Sequence, residues 1–309
     1  MKTKYLLLSM VAILTGCSSK EEKEPFNVSI VSPTGAPAIA FYNYSTNDNF
    51  QTNSDPSNII PMMVNETVDV AVLPTNAGIQ AINGKKVNYK IAATITFGNI
   101  FVAATGNDAN GIMEASDYIV SFQKGAVPDK IFHYVYEDTL DSGLHYVSNA
   151  QEAAKCLKTG KNLTDDGKAV DYVVLAEPAL TNVLSSTPGR SLYANLQELY
   201  LVKSANLQIF QASVFVNNKL SRSTVDSFLA DLEKDINNGL EKPELIEEGL
   251  NKNSAAEALF GIKPEIAKTV TANSNGMGLG FAKAKENKEA IDLFLSLFGI
   301  GATNEEIYY

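Results

Sequence analysis

Four times in this chain an apolar, Val/Ile-rich run ends in a turn of Pro, Gly, Ser, Thr or Asn, and a helical pattern follows. The segments are VSIVSPTGAPAIAFY (28–42), VDVAVLPTNAGIQAI (68–82), YIVSFQKGAVPDKIFHYVY (118–136) and VDYVVLAEPALTNVL (170–184). A fifth run, KIAATITFGNIFVAAT (90–105), is strand-like but broken by Phe97-Gly98-Asn99. Continuous apolar runs of this kind suit parallel strands covered on both faces. Strands that alternate with helices build βαβ units in an open sheet. The chain is therefore expected to be α/β, with ligands meeting it beyond the carboxyl ends of its strands.

Residues 26–309 are too many for one ordinary core and suit two lobes. With 45% apolar and 19% charged residues, the chain is globular. Ser221 to Asn238 reads as an amphipathic helix with Val225, Phe228, Leu229, Leu232 and Ile236 on one face. Shorter helices are expected over Pro243–Leu250, Ala255–Phe260 and Pro264–Val270, and a last one over Lys285–Phe298. The Gly/Asn-rich stretch Gly106 to Ala115 reads as a crossing between lobes, and Tyr200 to Val214 as the return. That division assigns 26–105 with 206–309 to one lobe and 106–205 to the other.

The first residues speak of location. Lys2 and Lys4 precede a mostly apolar Tyr5–Leu14, the layout of a secretory signal and too short to span a bilayer. The run ends in Leu14-Thr15-Gly16-Cys17, which resembles the bacterial lipobox; the resemblance implies cleavage after residue 16, acylation (palmitate) of Cys17, and attachment to the extracytoplasmic face of the cell membrane. Residues 17–25 then form a polar tether, because SSKEEKEP has no apolar residue with which to pack. Loss of the two leader lysines takes the formal charge from −10 to −12 (−10 − 2). Such an acidic protein is a poor ligand for nucleic acid, and it is expected to meet the membrane through its lipid alone.

Catalysis finds little support. Apart from Cys17, Cys156 is the only thiol, and it lies in a helical segment that reads as buried packing. The two histidines, His133 and His145, have no nucleophile elbow, and no His/Cys/Asp group has metal spacing. SPTGAP lacks the length and the lysine of a phosphate loop. No enzyme activity, cofactor or metal is expected.

Secretion, a lipobox tether, two α/β lobes, and the segments SPTGAPAIAFY, DVAVLPTNAG and the late NGMGLGFAKA (Asn275 to Ala284) together resemble the solute-binding proteins of bacterial ABC importers. More narrowly they are similar to the type II group that includes nitrate, sulfonate/taurine and thiamine-pyrimidine binders. The resemblance runs from Asn27 to about Phe298 and departs from better-known members in lacking tryptophan. It implies a type II periplasmic-binding-protein fold, a monomer with a ligand cleft between closing lobes, and a membrane permease with its ATPase as partners. The alternative is a tethered ligand- or protein-binding surface module with no transport role.

The strand-end turns supply the candidate site. In the first turn Ser32, Thr34, Gly35 and Ala36 border the cleft, and the N–H groups of Thr34, Gly35 and Ala36 are read as free for an acceptor; a plain turn is the other reading. Leu73, Thr75 and Asn76 follow the second strand, where Thr and Asn also serve as helix caps. Thr96, Phe97 and Asn99 flank the break in the fifth run, a core Phe being the alternative for Phe97. From the other lobe come Gln123, Lys124, Gly125, Ala126 and Glu177, the last of which the helix dipole alone would explain. Phe210 and Gln211 belong to the return crossing. Arg190 and Arg222 are the only arginines, so capture of an acid is disfavoured against a small polar or heteroaromatic solute. Replacing Cys17 with Ser is expected to move the protein from the membrane to the soluble fraction, measured by fractionation and immunoblotting; retention in the membrane contradicts the anchor.

Overall fold

The computed structural model describes residues 27–106, 111–273 and 276–309; the signal, Cys17 and the tether lie outside the described residues. Its strands, in chain order, are β1 (Ile30–Pro33), β2 (Phe50–Asn53), β3 (Val70–Pro74), β4 (Tyr89–Thr96), β5 (Ile100–Ala104), β6 (Ile119–Phe122) and β7 (Leu144–Val147), then β8 (Lys161–Asn162), β9 (Lys168–Ala169), β10 (Tyr172–Ala176), β11 (Ser191–Asn195), β12 (Ala212–Asn217) and β13 (Leu279–Lys283). Two sheets hold all but the short β8–β9 ladder: a six-stranded one in the order β13-β4-β12-β3-β1-β2 and a five-stranded one in the order β11-β5-β10-β6-β7.

The two sheets obey one rule. In the first, β1 pairs in parallel with β2 and β3, and β3 then meets an antiparallel β12 that itself meets β4. In the second, β6 pairs in parallel with β7 and β10, and β10 meets an antiparallel β5 that itself meets β11. In each sheet the antiparallel strand is the first one the chain makes after leaving the other sheet.

Apolar runs form these strands because both faces are covered. Val70 and Val72 enter one hydrophobic cluster while Ala71 and Leu73 enter another. Val173 and Leu175 likewise separate from Tyr172 and Val174. The middle cluster is shared by both sheets and passes through the junction by way of Ile100, Ile209 and Phe210. Helices flank them much as the sequence suggests. Arg222–Glu241 buries the expected five residues and is capped by Ser221 Oγ, which accepts from the Thr224 N–H at 3.1 Å. The last helix is shorter than expected, Lys288–Ser296, after a 3-10 turn over Lys285–Asn287. Among the described residues no helix is long and apolar enough to cross a membrane.

One boundary differs from the expectation. Gly106 to Ala115, part of which lies outside the described residues, does not carry the chain between sheets. The change comes at Phe97-Gly98-Asn99, so Ile100–Ala104 belongs to the second sheet. Glycine is required there: Gly98 has φ +102°, and a Cβ on it would lie 2.6 Å from Gln197 Cγ. Opposite it, a Cβ on Gly278 (φ +64°) would lie 2.1 Å from the Gly98 carbonyl oxygen. The return path runs between the helix Leu196–Lys203 and β12.

Gly78, inside the helix Thr75–Asn83, is the other tight glycine: a Cβ would come within 2.1 Å of the fully buried Phe215 ring. Gly78→Ala gains about 1 kcal/mol of helix propensity. Overpacking a ring that has nowhere to move costs roughly 1–3 kcal/mol or more. The variant is therefore expected to melt below the parent in thermal denaturation, and a higher Tm would refute the packing argument.

Candidate ligand site at the sheet junction

The site forms where the carboxyl ends of β3, β4 and β10 meet the two crossings. Gln211 is pinned on both sides by its backbone: its N–H donates to Thr96 O at 2.9 Å, and its carbonyl accepts from the Thr75 N–H at 3.1 Å. Its side chain then reaches across the junction, Nε2 donating to Asn99 Oδ1 at 2.8 Å. Asn99 is tied to the second sheet: Nδ2 donates to Glu177 O at 3.0 Å, and its own carbonyl accepts from the Glu177 N–H at 2.9 Å. Beneath this bridge runs a fully buried hydroxyl chain, Thr75 Oγ1 to Ser213 Oγ at 2.7 Å and Ser213 Oγ to Thr94 Oγ1 at 2.8 Å. Residues 75, 96, 99, 177 and 211, scattered in sequence, thus share one hydrogen-bonded locality.

Buried polar atoms are normally paired, and each exception calls for a cause. Among the described residues the buried side-chain oxygens without a partner are Asn76 Oδ1, Thr96 Oγ1, Ser121 Oγ, Thr187 Oγ1 and Gln211 Oε1. Three of them, on Asn76, Thr96 and Gln211, belong to the bridge or adjoin it. Ser121 lies near the carboxyl end of β6, opposite Tyr146 in β7. Thr187 alone follows a helix end away from the strand ends.

The other candidates divide. Gly35 (φ +91°) faces the second half, where Pro178 Cδ would lie 3.8 Å from a Cβ at this position. The N–H groups of Thr34 and Gly35 are not free, contrary to the sequence reading: they donate to Asn53 O at 3.1 Å and Phe260 O at 2.8 Å. Ala36 begins a helix of only four residues, and the Ser32 hydroxyl donates to Pro33 O at 3.1 Å. Leu73 is wholly core. Phe210 is buried and meets the half-buried Phe97 edge-on at 5.8 Å between centroids. Gln123, Lys124 and Gly125 are exposed, with Ala126 half-buried behind them. Their loop is anchored in its own half, since Gln123 N–H donates to Val147 O and Gly125 N–H to Asp129 Oδ2 at 2.7 Å. Lys124 Nζ stands 5.4 Å from the centre of the Tyr146 ring.

Glu177 is only 8% exposed, and its peptide bond to Pro178 is cis. Its carboxylate turns back onto its own helix, Oε2 accepting from the Thr181 N–H at 2.9 Å and Oε1 from Thr181 Oγ1 at 2.7 Å. Burial pushes this carboxyl above the usual range, against the pull of the two Thr181 bonds.

Sequence reasoning missed Ser121, Thr94 and Ser213, although each is a hydroxyl inside an apolar run. It also missed a group in which His133, Asp138 and Asp141 bring ligand-type atoms within 4.8 Å of one another. Both ring nitrogens of His133 already face protein oxygens, Asp129 O at 2.9 Å and Asp141 Oδ1 at 3.1 Å. A surface concavity of about 930 Å3, lined in part by Lys90, Asn218, Arg222 and Tyr309, lies at the opposite ends of β4 and β12 and carries mixed charge.

No family model matches this chain, and no curated protein matches it. Solved structures do. An ABC transporter from Parabacteroides distasonis aligns with a TM-score of 0.69 at 20% identity, over 88% of this chain and 91% of that one. A ligand-binding component of an ABC-type import system from Staphylococcus aureus, solved with zinc bound, gives 0.66 at 8% identity over 91% and 95%. The periplasmic aliphatic sulphonate binding protein SsuA from Escherichia coli gives 0.60 at 10% identity over 92% of each chain. This chain has the periplasmic-binding-protein fold. In that fold the bridge described above occupies the junction of the two halves.

For an acid whose folded pKa is raised, the stabilising contribution is complete below the unfolded pKa near 4.5 and is lost as pH climbs through the higher folded value. Glu177→Gln keeps both Thr181 contacts, with the amide oxygen accepting from the N–H and the amide nitrogen donating to the hydroxyl. The variant is expected to gain Tm relative to the parent between pH 4 and pH 7. A pH-independent difference in thermal denaturation would contradict the desolvation argument.

Proposed function

We propose that this chain is the extracytoplasmic, lipid-anchored substrate-binding component of an ABC importer, capturing a small polar or heteroaromatic solute between two closing halves and handing it to a membrane permease. Among the described residues, most of the buried side-chain oxygens that lack a partner gather at the strand ends, and this observation carries the reading. A packed core has no use for them, whereas a captured solute would complete their hydrogen bonds. The paired crossings support it further, because two short connections let halves of this architecture close about a hinge. The halves divide at Phe97–Asn99 and again between Lys203 and Ala212. Cys17 supplies the anchor, the remainder works as a monomer, and the solute-facing set is drawn from Gly35, Thr75, Asn76, Thr96, Phe97, Asn99, Gln123–Ala126, Glu177, Phe210 and Gln211.

Small-angle scattering tests this. The radius of gyration is expected to fall when the protein meets a small-molecule extract of its own host, and native mass spectrometry should then find one solute per chain. Unchanged scattering with no bound solute would favour a rigid tethered module without a transport role.

A further inference from the structure

The bridge at the junction fixes more than the place of a ligand; it fixes the polarity of the groups that meet it. Glu177 O is a backbone carbonyl and can only accept, so Asn99 must turn its NH2 toward it. Asn99 Oδ1 is then the atom that faces Gln211, so Gln211 must donate through Nε2. Only one orientation of both amides satisfies this network. Gln211 Oε1 is left over, buried and unpaired, and it can only accept. Asn76 Oδ1, one residue beyond the Thr75 N–H that binds Gln211 O, is a second unpaired buried oxygen. Thr96 Oγ1, on the residue whose carbonyl accepts from Gln211, is a hydroxyl able to give or take a bond and is fully buried.

The charges nearby agree. Arg190 is spent on the far side of the second sheet, donating to the carbonyls of Leu157 (2.6 Å), Lys158 (3.3 Å) and Thr105. Arg222 is 89% exposed beside Asp226, at the opposite ends of the first sheet's strands. Lys124, in the loop after β6, is exposed. Among the described residues, the buried charged groups on this side are both acids: Glu177, and Asp129 under the Gly125 loop. An anion would meet the unpaired amide oxygens of Gln211 and Asn76, with no buried cation among the described residues to offset their repulsion.

We propose that the junction takes a solute that carries at least two N–H or O–H donors and no acidic group, a neutral or cationic molecule, which it binds through Gln211 Oε1, Asn76 Oδ1 and Thr96 Oγ1. This deepens the capture reading above and rests on it. It sets the chain apart from the sulphonate-binding proteins whose fold it shares, since a sulfonate offers only acceptors.

The test is thermal denaturation of the full chain in detergent with four probes: 2,4-diaminopyrimidine and cytosine as donor-bearing rings, methanesulfonate and nitrate as anions. At least one ring is expected to raise Tm by about 5 °C at saturation, while both anions leave it unchanged. Thr96→Val, which removes an unpaired hydroxyl at nearly constant shape, should melt no lower than the parent without probe and bind the active ring roughly tenfold more weakly. A Tm rise with methanesulfonate or nitrate overturns the donor assignment and leaves solute capture standing. Silence from all four probes also overturns it, and the scattering experiment with host extract then judges capture by itself. A Thr96→Val protein that unfolds early yet binds unchanged overturns the part given to the hydroxyl.

Discussion

Each sheet of this protein is completed by a strand that has just arrived from the other one. The crossings feed at once into β5 and β12, and both strands are hydrogen-bonded along two edges. A connection so anchored cannot slide without breaking two ladders, and a one-residue slip would turn every buried side chain to the wrong face. The positions of Asn99 and Gln211, immediately before those strands, follow from this. The junction is defined by sheet pairing rather than by loop conformation, which is how polar groups over a hundred residues apart reach hydrogen-bond distance.

The same construction explains why the junction is polar inside. Strand ends expose carbonyls and helix starts expose N–H groups, so a place where several meet must be satisfied from side chains. Thr75 and Thr94 each bond to Ser213 through their hydroxyls, at no exposure to water. Asn76, Thr96 and Gln211 are left with acceptor capacity. The site is thus a mixture of completed and incomplete hydrogen bonding within a few residues, and the incomplete part is where recognition has physical means to act.

Much of this was legible in the sequence. The uninterrupted Val/Ile runs disclosed buried strands, because only helices on both faces can cover such runs. The turns after them marked Thr75, Asn76, Thr96, Asn99 and Glu177 as one class of position, and the return crossing added Gln211. What could not be read were pairings made at long range. Phe97-Gly98-Asn99 looked like a flaw in a single strand, since nothing local says that Thr96 pairs with Ala212 while Ile100 pairs with Ala176. The Gly35 N–H looked free because its acceptor, Phe260 O, lies on a helix far along the chain. The turn of the Glu177 carboxylate back onto Thr181 was equally hidden, because a side chain's choice of partner is not written in its position along the chain.

The contact between Gln211 and Asn99 also bears on when discrimination happens. The orientation of the Gln211 amide depends on a partner held by the second sheet. Should the halves part by more than the length of that bond, the amide is released to turn, and it then offers a donor or an acceptor with equal ease. An open protein would greet many solutes indifferently. Its preference would emerge only as the halves come together and the amide is locked, so that choosiness is a property of commitment, not of encounter.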